Sequence, residues 1–346
     1  MVQSDAKYGT DSREDILAKN KQIQNMILKG RKHVQKGEYS KAVNTGEKLI
    51  KAGESYGYVI LAQAYTSKGK SDLAVDAVEK LTQEQPDQLY AWRLLAEIYR
   101  DTGDFEKAAE AYEKALKCVD APWQRIELAR SSMLVMAEKY EEAIECLSNV
   151  VTEDLSISLP VESLKCTCFN SMEQYARAEE IASSAIQRAE SEGPEILENE
   201  YSALLYNLYY DLARSQWLQE QKSSQATIAL MKSLEHTNGA PVPSLRLLRE
   251  INAQKLTGTE KTLRLHLRAR LNQPVMNRGQ AHYNYHREYD VACMDVSEAM
   301  EFIHELEFMA EPRSIELINV RELKGTVKEF RGVYFQSPIQ LEPNSA

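Results

Sequence analysis

Long apolar runs are missing from this chain of 346 residues, whose uninterrupted apolar stretches are only a few residues each. A membrane-spanning helix needs roughly 20, so no membrane insertion is expected. The opening segment, Met1 to Arg13, is polar and lacks the apolar core of a secretory signal, which points to a cytoplasmic location. Cysteine is sparse. The five present, Cys118, Cys146, Cys166, Cys168 and Cys293, are odd in number and in no zinc-ligand spacing, so reduced thiols are expected rather than a disulfide framework. The 14 glycines are scattered and form neither a G-x-G-x-x-G nor a Walker loop, and no G-x-S-x-G turn is present. That excludes the phosphate cradles and the nucleophile elbow that those patterns build. No catalytic residue and no cofactor is nominated.

Histidine is equally thin. His282 and His286 stand four apart near Glu288 and Asp290, but without His-Glu-x-x-His order and within Tyr- and Asn-rich sequence. A metal site is therefore not expected. Charge, by contrast, is plentiful and uneven. Residues 1–240 hold 28 Lys and Arg against 38 Asp and Glu, while residues 241–346 hold 14 of each. The first part thus carries the whole net charge of −10, an acidic surface that argues against general nucleic-acid binding there.

What the chain does contain is a repeat. Residues 55–122 form two consecutive 34-residue units: Leu61, Ala62, Tyr65, Gly69, Ala74, Val78, Leu81 and Pro86 in the first, and Leu95, Ala96, Tyr99, Gly103, Ala108, Tyr112 and Ala115 in the second. Apolar spacings of three and four on either side of a Gly break predict a helical hairpin in each unit, with a small Ala where the helices cross. That Ala recurs at Ala42, Ala74, Ala108, Ala143 and Ala178, in steps of 32, 34, 35 and 35. Register fades afterwards. The apolar tract from Tyr201 to Trp217 predicts a long helix buried on two sides.

This pattern resembles the tetratricopeptide repeat (TPR), most closely from Trp92 through Tyr99, Gly103, Phe105, Ala108, Tyr112 and Ala115 to Leu116, with Asp120 where the family usually has Pro. The resemblance implies an all-α, right-handed α-solenoid of about six or seven TPR-like hairpins over residues 12–271, closed by a C-terminal helical cap. The expected layout is a frayed lead at 1–11, repeats at 12–190, degenerate or lengthened hairpins at 191–271, a helical cap at 272–331 and a flexible tail at 332–346. It also implies a non-catalytic scaffold or adaptor that holds a peptide or helix of a protein partner in a concave groove. The family's groove positions fall here on Tyr56, Val59, Gln63, Thr66 and Ser67, and on Tyr90, Arg93, Glu97, Arg100 and Asp101. Arg93 and Arg100 are the expected charged anchors, with Tyr56 and Tyr90 as aromatic contacts. The positions at which chaperone-binding members clamp a carboxylate are Val59, Gln63, Leu94, Arg125 and Ala129, so capture of a chaperone tail is not expected.

The last quarter sorts charge into blocks. From Pro241 to Arg287 nine Lys and Arg stand against Glu250 and Glu260; from Glu288 to Pro312 there are eight acids and no Lys or Arg. Neutralisation by folding back is expected, with a helix at 296–309, opened by Asp295 and Glu298 as a capping box, packed on a hairpin at 244–256 and 260–271. A second helix is expected from Pro312 to Lys324. Residues 262–271 alternate Leu with Arg, which also fits a strand; the four-residue spacing of Leu263, Leu267 and Leu271 favours helix. The competing functional reading places a metal-dependent enzyme or a basic nucleic-acid-binding module in 262–305, with Arg264, Arg268, Arg270, Arg278 and Arg287 as the basic patch.

Overall fold

The computed structural model describes residues 13–192, 198–220, 223–237, 242–252, 259–277, 280–307, 314–324 and 330–342. The chain divides into two compact units, Met1–Val150 and Val151–Ala346. The described part of the first unit comprises four helical hairpins: α1 (Arg13–Gln35) with α2 (Tyr39–Lys51), α3 (Tyr56–Ser67) with α4 (Ser71–Glu84), α5 (Leu89–Thr102) with α6 (Phe105–Ala115), and α7 (Trp123–Met136) with α8 (Tyr140–Asn149). Each second helix brings its recurrent alanine to the crossing, and Ala42, Ala74, Ala108 and Ala143 are wholly buried. A methyl group there lets two helix backbones close on each other, and a larger side chain would push them apart. Helices α2 and α3 approach closer still. A β-carbon at Gly57 would fall 2.5 Å from the carbonyl oxygen of Gly46, so no side chain fits at that crossing.

The turns repeat as faithfully as the crossings. Gly37, Gly69 and Gly103 have φ of 72°, 68° and 83°, and the equivalent residues of the next two hairpins, Glu138 and Glu173, have φ of 60° and 59°. Each left-handed residue lets the following N–H reach back to the helix, as from Asp104 to the Tyr99 carbonyl (2.9 Å) and from Lys139 to the Leu134 carbonyl (2.8 Å). The geometry is held even where Glu must adopt it.

The second unit begins in the same way, with α9 (Leu155–Ser171), α10 (Tyr175–Glu192), α11 (Glu198–Glu220), α12 (Ser223–Glu235) and α13 (Val242–Asn252). Ala178 and Ala226 are wholly buried, and α11 is the expected long helix. It is pinned to α9 by a buried carboxylate. Thr167 Oγ1 donates to Asp211 (2.8 Å), and Asn170 donates to both its carboxylate (3.2 Å) and its main-chain carbonyl (2.9 Å).

Beyond α13 the expectation of an all-α chain fails. Residues 261–277 form a strand, β1 (Lys261–Asn277), where a helix over 260–271 was expected, and β2 (Gln280–Cys293) pairs with it antiparallel. The expected helix from Pro312 to Lys324 is instead β3 (Glu316–Glu322) in its described part, paired to the other side of β1. The tail contributes β4 (Gly332–Gln336) and β5 (Gln340–Leu341), both paired with β2, so the sheet runs β3-β1-β2-β4. Among the described residues the C-terminal region is thus a sheet carrying one helix, not a helical cap. Period two decides the matter: Leu263, Leu265, Leu267, Ala269 and Leu271 are all buried, whereas Arg264, His266 and Arg268 between them are not. Leu263, Leu267 and Leu271 satisfy either period. Leu265 and Ala269, on the same face, satisfy only the strand.

The expected helix at 296–309 is present as α14 (Val296–Leu306), with Asp295 as its N-cap and the return bond of Glu298 reaching the residue before the cap. Asp295 accepts from the Glu298 N–H (3.0 Å), and Glu298 accepts in return from the Met294 N–H (2.6 Å). Ala299, Ile303 and Leu306 share one apolar cluster with Leu245 and Leu248 of α13 and with Leu263, Leu265 and Leu267 of β1. The anticipated partner segment is therefore right and its conformation is not. Just after α14, Glu307 accepts from the hydroxyls of Tyr285 and Tyr289. Arg287 lies 3.7 Å from it and donates to the Ser337 carbonyl (3.0 Å). Ser12, Gly258, Arg278, Met309 and Pro312 lie outside the described residues.

Two outcomes follow from these packing arrangements. Replacing Glu138 by Gly relieves a left-handed conformation that costs a β-carbon roughly 1–2 kcal/mol, partly offset by the looser unfolded chain. Calorimetry should show the N-terminal unit melting about 1–4 °C higher. Burial raises the Asp211 carboxyl from its ordinary 3.8 to about 6, against the opposing hydrogen bonds from Thr167 and Asn170. The folded state therefore holds a proton that the unfolded chain has released between these values, and this contribution to stability is lost as pH rises through 6. Urea unfolding of the wild type relative to Asp211→Asn should show the wild type losing roughly 1–3 kcal/mol between pH 4.5 and 7.5.

Candidate functional site

The first helices of the second and third hairpins carry every groove residue expected from the sequence. Helix α3 forms because its apolar side, Val59 to Ala62 with Ala64, is buried against neighbouring helices. Gln63 and Thr66 are left exposed on α3, while Tyr56 is half-buried between the first two hairpins. Helix α5 buries Ala91, Leu95, Ala96, Ile98 and Tyr99. Tyr90, Arg93 and Arg100 are exposed on it and Glu97 is half-buried.

Hydrogen bonds to α4, the second helix of the second hairpin, fix the orientation of both first helices. The Tyr58 hydroxyl donates to Glu84 (2.7 Å) and the Tyr99 hydroxyl to Glu79 (2.8 Å). Burial and that bond push the Tyr99 hydroxyl up to about 12. Both phenols stay protonated donors.

On α5 stand exposed Arg93, Arg100 and Asp101, with half-buried Glu97 one turn from each arginine; the hydroxyl of Tyr112 on α6 has its acidity weakened first by burial and then by Glu97. Arg100 makes a bidentate pair with Asp101 (3.0 and 2.8 Å). Arg93 has no hydrogen-bonded partner among the described residues. Tyr90 donates its hydroxyl to Gln85 (3.4 Å). Its hydroxyl is pushed upward mainly by burial. The face therefore offers a cation, a paired cation and an aromatic edge. Hydrogen bonding, ion pairing and stacking are within its reach, and nothing on it is placed as a nucleophile with a base.

One cluster escaped the sequence reading. Arg130 of α7 reaches Glu113 of α6 (3.4 Å) and Glu127 one turn back (3.4 Å). Glu127 is buried, and its hydrogen bond together with burial raises the Cys146 thiol to about 11. A three-residue spacing of Glu and Arg was the available signal, but a buried Glu cannot be told from a solvated one by spacing.

The arginines of the C-terminal patch stand among acids. Arg264 makes a bidentate pair with Asp290 (2.6 and 2.7 Å), Arg268 pairs with Glu342 (2.9 Å), and Arg287 is buried against Glu307. Arg270 is exposed. The charge blocks do meet as strands β1 and β2 fold back on one another. His266 and His286 share a hydrogen bond of 3.1 Å on the outer face of the sheet. Among the described residues no group of three or more His, Cys, Asp and Glu is arranged to hold a metal ion. No helix among them is long and apolar enough to cross a membrane. In the second unit a cleft of about 450 Å³ opens between α9 and α10, lined by Glu162, Lys165, Phe169, Arg177, Glu180 and Ile181.

Comparison with known proteins gives fold-level likenesses and one family. No curated protein matches the chain in sequence. Among solved structures, the MamA protein shares 17% identity over 53% of this chain and 91% of its own, with a TM-score of 0.42. The C-terminal part of a TPR repeat-containing protein from Cytophaga hutchinsonii shares 17% over 61% of this chain and 78% of its own, with a TM-score of 0.45. PilW, a type IV pilus biogenesis factor, shares 18% over 57% and 84%, with a TM-score of 0.44. The family model described as tetratricopeptide repeat matches residues 60–123, the stretch from within α3 to the start of α7 whose buried alanines and left-handed turns are set out above, and that stretch is built of tetratricopeptide repeats.

Proposed function

We propose that this chain is a non-catalytic scaffold that binds a segment of a partner protein along the exposed face of α3 and α5. The observation that carries the reading is the row of exposed Arg93 and Arg100 on either side of Glu97 along α5, with exposed Tyr90 at the start of the same helix. Arg93 is exposed and lacks a hydrogen-bonded partner among the described residues, so it can give both edges of its guanidinium to a carboxylate. Tyr90, 40% exposed, offers an aromatic surface with few rotamers to lose on binding. An extended or helical segment carrying an acidic residue and an apolar one suits this face. In the C-terminal patch, by contrast, Arg264, Arg268 and Arg287 already face carboxylates, so a nucleic acid would have to displace them.

The test is a pull-down from cell extract read by mass spectrometry, with the wild type and the double reversal Arg93→Glu/Arg100→Glu. Partners retained by the wild type should fall at least about tenfold, a loss of roughly 1.4 kcal/mol, with the melting temperature unchanged because both residues are exposed. Retention of every partner by the double variant would overturn the assignment of this face.

A further inference from the structure

Among the described residues β3 is an outermost strand, paired with β1 on one side. All seven of its residues are exposed, Leu317, Ile318 and Val320 among them. An edge of that kind is a template for another strand, and Pro, which natural sheets use to blunt such edges, is absent from β3.

The pairing with β1 fixes which way β3 presents itself. Leu323 donates its N–H to the Thr262 carbonyl (2.8 Å). Since backbone groups alternate along an antiparallel strand, those of Leu323, Arg321 and Asn319 turn toward β1, and those of Glu322 and Val320 turn outward. The register slips between Asn319 and Leu317, leaving Ile318 as a bulge. Beyond the bulge, Leu317 turns its backbone outward. Side chains follow the same change of phase. Val320 stands opposite buried Leu265 and Leu317 opposite buried Leu267, both on the core side, while Arg321 stands opposite Arg264 and Glu316 opposite Arg268, both on the outer side. The bulge therefore puts Glu316 and Arg321 on one face although they are five apart, and Leu317 and Val320 on the other although they are three apart.

We propose that β3 is a self-association edge to which a second copy of this chain adds its own β3, antiparallel. In the register that sets Glu316 against Arg321 of the second copy, Leu317 meets Val320 of the second copy, and the twofold relation repeats both contacts. Two ion pairs form on the outer face and two apolar pairs on the core side. Leu317 and Val320, whose backbone groups point outward, are the residues that meet, so hydrogen bonding and side-chain matching agree. The alternative register centred on Asn319 would set Glu316, an outer-face residue, against Glu322, which stands opposite buried Leu263 on the core face and turns its backbone outward, so neither faces nor hydrogen bonds would match. The existing contacts of these acids are long, 3.8 Å from Arg268 to Glu316 and 3.9 Å from Lys261 to Glu322, and leave their side chains 65% and 62% exposed. They are available to a partner strand.

Sedimentation equilibrium of the full chain over the micromolar range tests this. A concentration-dependent dimer is expected. Val320→Pro removes an outward N–H, which an edge strand tolerates, and should raise the dissociation constant at least about tenfold with an unchanged circular-dichroism spectrum. Glu316→Arg and Arg321→Glu should each weaken the dimer, and the two together should restore it, a result that carries the test if the Pro variant does not fold. A chain monomeric throughout, including one that captures a foreign strand while remaining monomeric, overturns the proposal. So does a dimer indifferent to Val320→Pro, or a charge exchange that fails to rescue.

Discussion

Close approach of paired helix backbones is the constraint on which the repeats rest. It requires a residue no larger than alanine at each crossing and a left-handed residue at each turn, and the two requirements recur together: Ala42 with Gly37, Ala74 with Gly69, Ala108 with Gly103, Ala143 with Glu138 and Ala178 with Glu173. Because both are spaced alike, each hairpin repeats the geometry of the last and the first helices present equivalent faces. The face proposed to bind a partner exists because its helix is held by residues that touch no partner, Tyr58 and Tyr99 above all. An overpacked crossing would cost about 1–3 kcal/mol and would also tilt that face.

The second unit satisfies a different demand. It brings charged and polar groups inside and then gives each a partner: Asp211 with Thr167 and Asn170, Arg287 with Glu307 and Ser337, Glu307 with two tyrosines. Buried ionic groups of this kind add little net stability compared with apolar residues of the same shape, but losing one partner is costly. Their effect is to fix which strand lies beside which. Arg287 can be satisfied only if the segment holding Ser337 lies beside β2.

The sequence displays the repeats plainly because crossing and turn leave a residue-type signature at fixed spacing. It displays α14 as well, since the Asp295 cap and the Glu298 bond beside it are local. The strand β1 was hidden by an accident of arithmetic: leucines four apart at Leu263, Leu267 and Leu271 satisfy both periods, and only Leu265 and Ala269 distinguish them. Strand β3 was hidden for another reason. Its residues are exposed on both faces, so no alternation marks it, and its pairing with β1 spans a sequence separation that no local rule reaches. Of the candidate face, the residue types and their helix positions were legible. That Arg100 is tied to Asp101 while Arg93 is not depends on side-chain placement.

The ties of Arg287 also set an order of events during synthesis. Glu307 lies 20 residues downstream of it and Ser337 lies 50, so a chain still emerging from the ribosome has β2 long before it has the groups that neutralise and cap that guanidinium. Contacts in the first unit join neighbouring hairpins and can form as each one appears. The sheet must wait for the segment through Leu341. A chain cut short after β2 would carry finished repeats in front of a sheet that cannot close, with an unpaired arginine and a row of leucines open to water, the kind of surface that chaperones and proteases recognise.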